Sequence, residues 1–461
     1  MSKYNFRLRS IHIKNFMSIE DGMISYPKTR DIPVSSDEDE EDSYSPSSEI
    51  IGIYGINGSG KSAMVSSLQL LFSVLGVSNI LSSQSYESID WATKIRKGAD
   101  AASFEYSFQI FHDDPSIAVG TFNISFSMKK DNDDICLFNE KFDACGVDFE
   151  PFMLKTGKDL SSYTINKLFV PLLKEEAINP STIAKGIKMV KENMSENVLF
   201  LECFMLTFKD WLKEDIEFYS IFTDFLEFLS LRTIIVSDDS YSQIRKGFNS
   251  LMHYIPYEGN LYPFTVVDGE FFVHLQFEKI ERHKRDSIIH GHIKYISNIL
   301  NTLIPDITVA VKNDSLSIVF VRDGQEIPYS QESYGIRKLF SILLFLSYVM
   351  RMDFLMLVID ELDEGIFEYL LGNILSAVDE YGRGQLIFTA HNLIPTERLE
   401  KKSIWFTTND PKRRFVHISN LKIENNLREI YFKELSGKRN ATDNLLKRNI
   451  KSEDIAEALK A

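Results

Sequence analysis

The feature that most constrains the fold is a glycine-rich octapeptide between an apolar segment and a helical pattern. Residues 55–62 read GINGSGKS and fit the pattern G-x-x-x-x-G-K-[ST]. The apolar segment 50–54 precedes them, and residues 62–72 repeat apolar side chains at helical spacing. Glycines let backbone N–H groups surround phosphate oxygens, and the helix N-terminus adds a favourable dipole. This order of strand, loop and helix predicts a phosphate-binding loop in an α/β fold.

The residues of this loop have predicted tasks in binding a nucleotide. Lys61 is expected to reach the β- and γ-phosphates, and the Ser62 hydroxyl to ligate Mg2+. No NKxD sequence follows the loop, which favours ATP over GTP. The predicted cofactors are therefore ATP and Mg2+. The expected nucleotide-binding residues of the loop are Gly55, Asn57, Gly58, Ser59, Gly60, Lys61 and Ser62.

A second motif is an apolar run that ends in two acids. Residues 354–359 read FLMLVI, as expected for a parallel strand buried on both faces, and Asp360 and Glu361 follow. Ligands of open α/β sheets bind at the carboxyl ends of the strands. Asp360 is therefore predicted to hold Mg2+, and Glu361 to act as the general base on the attacking water.

Two further polar motifs lie near helix and strand ends. His391 follows the apolar strand 385–390, about thirty residues after the acidic pair and with one helix between. This spacing places it on a neighbouring strand, within reach of a γ-phosphate. Ser333 and Gly335 precede an apolar helix, where a serine either caps the helix or grips a phosphate presented from outside.

The remaining pattern predicts a divided chain. Residues 6–26 are expected to form an edge strand, a turn at Asp21-Gly22 and a second strand, and the acidic segment 35–48 to be disordered. A β-meander, helices within 154–234, a helix over 272–303 that is interrupted or kinked near Gly291, and a hairpin over 307–321 follow. The expected domains are an N-terminal part of the core (1–150), an inserted mostly helical lobe (151–305), a C-terminal part of the core (306–417) and a helical tail (418–461).

Composition limits the functional classes. The net charge of -15 excludes a globally basic surface for nucleic acid, although local basic patches remain. The three cysteines show no CxxC spacing, which argues against a disulfide scaffold or a cysteine zinc site. No apolar run reaches the roughly 18 residues of a membrane span, and the N-terminus lacks the pattern of a signal peptide. A cytoplasmic protein is expected.

Along the chain the four motifs follow one another as phosphate loop, Ser-x-Gly helix start, Asp-Glu strand end and His strand end. This order resembles that of the ATP-binding-cassette class of ATPases. The chain looks like the non-transporter branch that contains RecF, SMC and OLD-type proteins. It most closely resembles the stand-alone AAA/ABC-type ATPases of prokaryotic anti-phage defence and abortive infection. The segments that carry the resemblance are IHIKNFMSIEDGMISY, SFEYSFQIF, CLFNEKF, ESYGIRKLFSIL, LVIDELDEGIF, LIFTAHN and SIWFTTND.

The resemblance implies a fold and a role for each matching residue. The fold is an ABC-ATPase head, with a mixed core sheet, an antiparallel β-meander and an inserted helical lobe. Asp360 and Glu361 are the Walker B pair, Asp363 in the loop after it is expected to bind the nucleotide, and His391 is the switch histidine. Ser333 and Gly335 form a signature that contacts ATP held by a second protomer, although the sequence reads Ser-Tyr-Gly rather than Ser-Gly-Gly. The glutamine of the Q-loop has two candidates, Gln84 and Gln109.

The implied mechanism is a homodimer or higher homo-oligomer around sandwiched Mg-ATP, with slow, partner-regulated hydrolysis. The first hypothesis is a regulatory subunit of a defence system that controls a separately encoded nuclease or toxin, with DNA or a phage product as trigger. The second is a RecF-like ATPase that binds DNA directly, and the third is a scaffold that barely hydrolyses ATP. The candidate basic residues for a DNA-binding face are Lys401, Lys402, Lys412, Arg413, Arg414, Lys438, Arg439, Lys447 and Arg448.

Overall fold

A six-stranded, mostly parallel sheet forms the centre of the fold in the computed structural model. Four pairings in this core sheet are parallel, and the edge strand at residues 415–417 is antiparallel to its neighbour at residues 404–407, so the sheet is mixed, as predicted. Its strands, in spatial order, are β18 (Phe415–His417), β17 (Ile404–Thr407), β3 (Glu49–Tyr54), β16 (Gln385–Ala390), β15 (Met356–Ile359) and β8 (Thr233–Val236). The structure describes residues 3–26, 49–77, 89–131, 134–155, 199, 217–237, 251–257, 260–267, 270–273, 281–312, 317–393 and 398–417.

Both faces of the core sheet are buried. Successive side chains of a strand point to opposite faces, and β15 sends Met356 and Val358 into one apolar cluster and Leu357 and Ile359 into the other. This explains why the strand is uniformly apolar rather than alternating. The described helices are α1 (Lys61–Val74), α2 (Glu217–Arg232), α3 (Arg282–Leu303), α4 (Tyr334–Val349) and α5 (Glu368–Tyr381). The first two contribute to the first cluster and the other three to the second.

An antiparallel sheet packs through the first cluster and contains the predicted meander. Its strands, in spatial order, are β2 (Ile19–Ser25), β1 (Asn5–Phe16), β4 (Ala102–Phe111), β5 (Ala118–Asp131), β6 (Asp134–Gly146) and β7 (Phe152–Lys155). The turn expected at Asp21-Gly22 is wrong, because both residues lie inside β2 and the chain turns at Met17 instead. The edge strand is β2, while β1 pairs on both sides.

The third sheet contains the predicted hairpin of β12 (Ile307–Lys312) and β13 (Ser317–Arg322). The helix expected from residue 272 begins only at Arg282, since residues 270–273 form a strand, and it continues through Gly291. The other strands of this sheet are β9 (Leu251–Tyr257), β10 (Asn260–Val267), β11 (Glu270–Val273) and β14 (Gln325–Pro328).

The range 151–305 therefore holds strands as well as helices among its described residues. One of them, β8, pairs with β15 and completes the core sheet. The division of the chain into domains stays a prediction. The predicted acidic loop at 35–48 and the tail at 418–461 lie outside the described residues. In the described part of the chain, no helix has both the length and the apolar character needed to cross a bilayer.

Candidate functional site

The glycine-rich loop joins β3 to α1 in the predicted geometry. Gly58 and Gly60 have positive φ angles, 74° and 101°, which residues with a Cβ adopt at a cost. Gly55 lies so close to β17 that an added Cβ would be 1.7 Å from the hydroxyl of Thr407. That hydroxyl is also 2.6 Å from Oγ of Ser59, so β17 holds the loop in place through Thr407. The glycines thus serve both the turn of the loop and its close packing.

The Lys61 side chain is folded back over the loop. Its ammonium donates hydrogen bonds to the carbonyl oxygens of Gly55 (2.7 Å) and Ile56 (3.1 Å), and the residue is only 5% exposed. Burial lowers the pKa of Lys61, while the charges of Asp360, Glu361 and Asp363 act in the opposite direction. The positive charge therefore lies where the loop would present it to a phosphate, with acids nearby.

The predicted acidic pair follows β15 and is held by the next strand. Asp360 is 3% exposed, and one of its carboxylate oxygens accepts a short hydrogen bond from the Thr389 hydroxyl on β16. The same hydroxyl accepts a hydrogen bond of 2.8 Å from the backbone N–H of Glu361. One threonine thus positions both acids. The sequence signal for Thr389 was a hydroxyl in an otherwise apolar strand, and no role was predicted for it.

His391 lies between the loop lysine and the predicted base. Its Nδ1 is 3.3 Å from Nζ of Lys61, and its Nε2 is 3.7 Å from Oε1 of Glu361. An ammonium group has no acceptor, so Lys61 can only donate in this contact, and the tautomer in which Nδ1 accepts carries its proton on Nε2, on the side of the carboxylate. The structure therefore brings the three predicted residues together in the order Lys61, His391, Glu361.

Asp363 holds the backbone that carries the histidine. One carboxylate oxygen accepts hydrogen bonds from the N–H groups of His391 (2.9 Å) and Asn392 (2.7 Å). Its other oxygen and the hydroxyl of Tyr54 are buried and lack a hydrogen-bond partner among the described residues. Burial raises the pKa of Tyr54 well above its usual value, and the charge of Asp363 adds to this effect. Unsatisfied buried polar atoms are rare and often accompany a strained or catalytic site.

Ser333 and Gly335 lie at the start of α4, against the turn that follows Glu361. The Ser333 hydroxyl accepts a hydrogen bond from the N–H of Ile336 (3.4 Å), as expected for a helix cap. An added Cβ at Gly335 would be 2.5 Å from the carbonyl oxygen of Gly365. Capping and close packing therefore account for both residues within one chain, and contact with the nucleotide of a second chain stays a prediction.

The donor chemistry at the strand ends fits Mg2+ bound together with a nucleotide. Mg2+ is usually held by one or two carboxylates, substrate phosphates and water. Asp360 supplies a carboxylate, and Ser62 at the start of α1 is exposed. Within the described ranges, no group of three or more His, Cys, Asp or Glu side chains could hold a metal ion alone.

Two other sequence candidates have different surroundings from those expected. Gln109 lies near the C-terminal end of β4, where its side-chain oxygen accepts hydrogen bonds from Arg9, and Gln84 lies outside the described residues. Arg414, a candidate for a DNA-binding face, is only 6% exposed and donates to the carbonyl oxygens of Thr408 and Ser18. Its guanidinium therefore stabilises the fold behind the loop rather than forming part of a basic surface.

Comparisons with known proteins give only distant structural matches. No family model matches the chain, and no curated protein matches it at the significance required. The SMC head bound to the C-winged helix domain of ScpA has a TM-score of 0.44 at 13% identity, over 90% of this chain and 98% of that one. The SMC head domain from Thermotoga maritima has a TM-score of 0.39 at 12% identity, over 90% and 99%. The Smc head from Pyrococcus furiosus, bound to the C-terminal domain of ScpA, has a TM-score of 0.41 at 14% identity, over 94% and 100%.

These TM-scores and identities are too low to support an argument about this chain. The fold is established by the strand order of the core sheet and by the glycine-rich loop between β3 and α1. The α/β class with a mixed core sheet, a glycine-rich loop between β3 and α1 and an antiparallel meander is confirmed. The carboxyl ends of β3, β15 and β16 lie at one edge of the sheet, since the three strands are parallel. The chemical motifs meet at that edge.

Proposed function

We propose that this chain is an ABC-type ATPase that binds Mg-ATP at the carboxyl edge of the core sheet and hydrolyses it. The observation that carries the proposal is the convergence of Lys61, His391 and Glu361 there, with contacts of 3.3 and 3.7 Å between successive side chains. A phosphate-binding loop alone would support only binding. A carboxylate and an imidazole next to its lysine add the groups that water activation requires.

Each residue has a step that its position supports. The backbone N–H groups of the loop bind the phosphates, and Lys61 exchanges its contacts with Gly55 and Ile56 for phosphate oxygens. Ser62 and Asp360 would hold Mg2+ together with ATP, and the ion would supply positive charge against the phosphates. Glu361 accepts a proton from the attacking water, and Nε2–H of His391 donates to a γ-phosphate oxygen. Thr389 and Asp363 keep these groups in place through the backbone.

The proposal includes association of two copies around the nucleotide. Ser333 and Gly335 lie at the N-terminus of α4, where the helix dipole favours a negative charge presented from outside. Two such sites, one on each copy, would be completed by the phosphate held in the other copy. Binding of ATP would then favour the dimer, and hydrolysis would favour its release.

The test compares two variants with the unchanged chain. Lys61→Ala should lose ATP binding. Glu361→Gln should still bind ATP, but its rate of hydrolysis should be lower by a factor of about 100 or more. Glu380→Gln, on the exposed end of α5, serves as the matched control and should behave like the unchanged chain. If Glu361→Gln retains full turnover, Glu361 is not the base and this mechanism is wrong.

The dimer is tested with the Glu361→Gln variant, in which bound ATP persists. Its mass in solution with Mg-ATP should be twice the 53.1 kDa of one chain, and it should fall to one chain without nucleotide. Adding Ser333→Arg should abolish the change in mass but leave ATP binding by the single chain intact. A monomer under all conditions would contradict the sandwich but not ATP binding.

The biological role that we propose is a sensor and regulatory subunit of a prokaryotic anti-phage defence system, acting on a separately encoded nuclease or toxin. It rests on the sequence resemblance, since the site itself supports only a nucleotide-dependent switch. Co-expression with the genomic neighbours and challenge with phage tests it. Protection that is lost with Lys61→Ala supports the role, and protection that is unaffected by this substitution contradicts it.

A further inference from the structure

A buried lysine of α4 reaches the backbone of the predicted catalytic base. Lys338 is 0% exposed, and its ammonium donates a hydrogen bond of 2.7 Å to the carbonyl oxygen of Glu361. The same nitrogen lies 3.9 Å from Oε2 of Glu364. Burying an ammonium group is costly unless it is paired and hydrogen-bonded, so these contacts must offset a substantial penalty. A lysine in an otherwise apolar helix face therefore has a specific target.

That target is a residue in an unfavourable backbone conformation. Glu361 has a φ of 50°, in the left-handed region, which costs a residue with a Cβ about 1–2 kcal/mol. Its N–H donates to the Thr389 hydroxyl and its carbonyl oxygen accepts from Lys338, so both sides of the residue are held. Such strain persists only where the surroundings determine the conformation, and it is common at functional sites.

The same turn packs against the first turn of α4. The Tyr334 hydroxyl donates to Oε2 of Glu364 at 3.2 Å, and Gly335 has no room for a Cβ because the carbonyl oxygen of Gly365 would be 2.5 Å away. The Ser333 cap is part of that first turn, and Lys338 is one turn further along the helix. A shift of α4 would therefore move the ammonium away from the Glu361 carbonyl oxygen.

We propose that Lys338 is a positioning residue that makes the orientation of the Glu361 carboxylate depend on the position of α4. The proposal rests on the proposed function, in which Glu361 is the base. With Lys338 in place, Glu361 keeps the left-handed conformation that directs its carboxylate toward His391. A phosphate of a second copy at the Ser333 end of α4 then acts on the catalytic carboxylate through Lys338.

The first experiment is a double-variant cycle on turnover. Lys338→Met, similar in length but without a donor, should lower kcat about 10-fold or more and change the ATP Kd less than about 3-fold. In the Glu361→Gln background, the same change should lower the residual rate less than about 2-fold, because Lys338 acts through Glu361. The matched control is Lys312→Met, which should leave kcat unchanged. It removes a lysine at the end of β12 whose Nζ lies 2.6 Å from Oε2 of Glu326 in β14. If the fold-reductions in kcat of the two single variants multiply in the double variant, the proposal is overturned.

The second experiment needs no nucleotide. Backbone hydrogen exchange over residues 360–366 should be about 10-fold faster or more in Lys338→Met, with the meander strands unchanged. Unchanged exchange in this turn would overturn the proposal. If the unchanged chain does not hydrolyse ATP, the proposed function fails, and the exchange still decides whether Lys338 holds the turn. If Lys338→Met does not fold, Lys338→Arg and Lys338→Gln replace it. If these two variants have the same kcat and the same hydrogen exchange over residues 360–366, the proposal is overturned.

Discussion

Replacing Thr389 by valine tests whether one hydroxyl organises the acidic pair. The residue is 0% exposed, donates to the Asp360 carboxylate and accepts from the N–H of Glu361. Valine has nearly the same shape, so packing is conserved while both partners lose their hydrogen bond. The backbone of Glu361 loses one of the two contacts that hold its positive φ.

The expected loss follows from the two buried groups left unsatisfied. Each costs about 1–3 kcal/mol, so Thr389→Val should lower the free energy of unfolding by about 2–6 kcal/mol. Thr389→Ser is the matched control: it keeps the hydroxyl and loses one buried methyl group, which costs about 1 kcal/mol. Urea unfolding of both variants measures the difference, and ATP turnover should follow the same order. If Thr389→Val is as stable as Thr389→Ser, the hydroxyl does not hold the pair and the reasoning is refuted.

Two further predictions concern pH and the loop. Burial lowers the pKa of His292, which stacks on Tyr348, from 6.5 to about 4. Between these two pKa values the unfolded chain binds more protons than the folded chain. Acidification from pH 6.5 to 4 should therefore lower the free energy of unfolding by about 3 kcal/mol. Urea unfolding of His292→Phe should not show this loss. Gly60→Ala, at a φ of 101° and with its Cβ 2.9 Å from Oγ of Ser18, should weaken ATP binding about 10-fold in calorimetry. Gly98→Ala, at a φ of 88° with nothing within 4 Å, is the control with unchanged affinity, and equal effects would contradict the prediction.

The parallel core was predictable because its signals are local. The apolar run before Asp360 and the run before His391 each predict a strand, and parallel strands place their carboxyl ends at one edge. The convergence of the motifs thus follows from periodicity and chain order. The structure confirms the pairing, with Val358 opposite Ile387 in β15 and β16.

The turn at Asp21-Gly22 was wrong because glycine has more than one use in a β-structure. Gly22 lies opposite Ile13 inside β2, and a Cβ there would be 2.9 Å from the ring of Phe415. It is a site of close approach between strands, not a turn. The real turn consists of Met17, at a φ of 50°, and Ser18. Methionine has no turn preference, so a single serine was the local signal, weaker than the Asp-Gly pair.

The contacts that complete the site could not be predicted, since they join residues distant in sequence through backbone atoms. Asp363 binds the N–H groups of His391 and Asn392, 28 and 29 residues away. Lys338 binds the carbonyl oxygen of Glu361, 23 residues away. A backbone acceptor has no residue-type signature, so a sequence pattern can identify the donor but not its target. Only the packing of α4 on the strand ends determines the pair.

These contacts fix the backbone of the proposed catalytic residues and leave the orientation of their side chains to the proposed substrate. The Glu361 N–H donates to Thr389, and the Glu361 carbonyl oxygen accepts from Lys338. The His391 N–H donates to Asp363. The imidazole and the carboxylate lie 3.7 Å apart, longer than a hydrogen bond, so neither side chain is committed to the other and each can turn to the substrate. A site held through its backbone pays its ordering cost during folding, so that ATP needs to order only the side chains. For this reason, substitutions in the supporting residues should reduce stability and turnover together, whereas Glu361→Gln should reduce turnover alone.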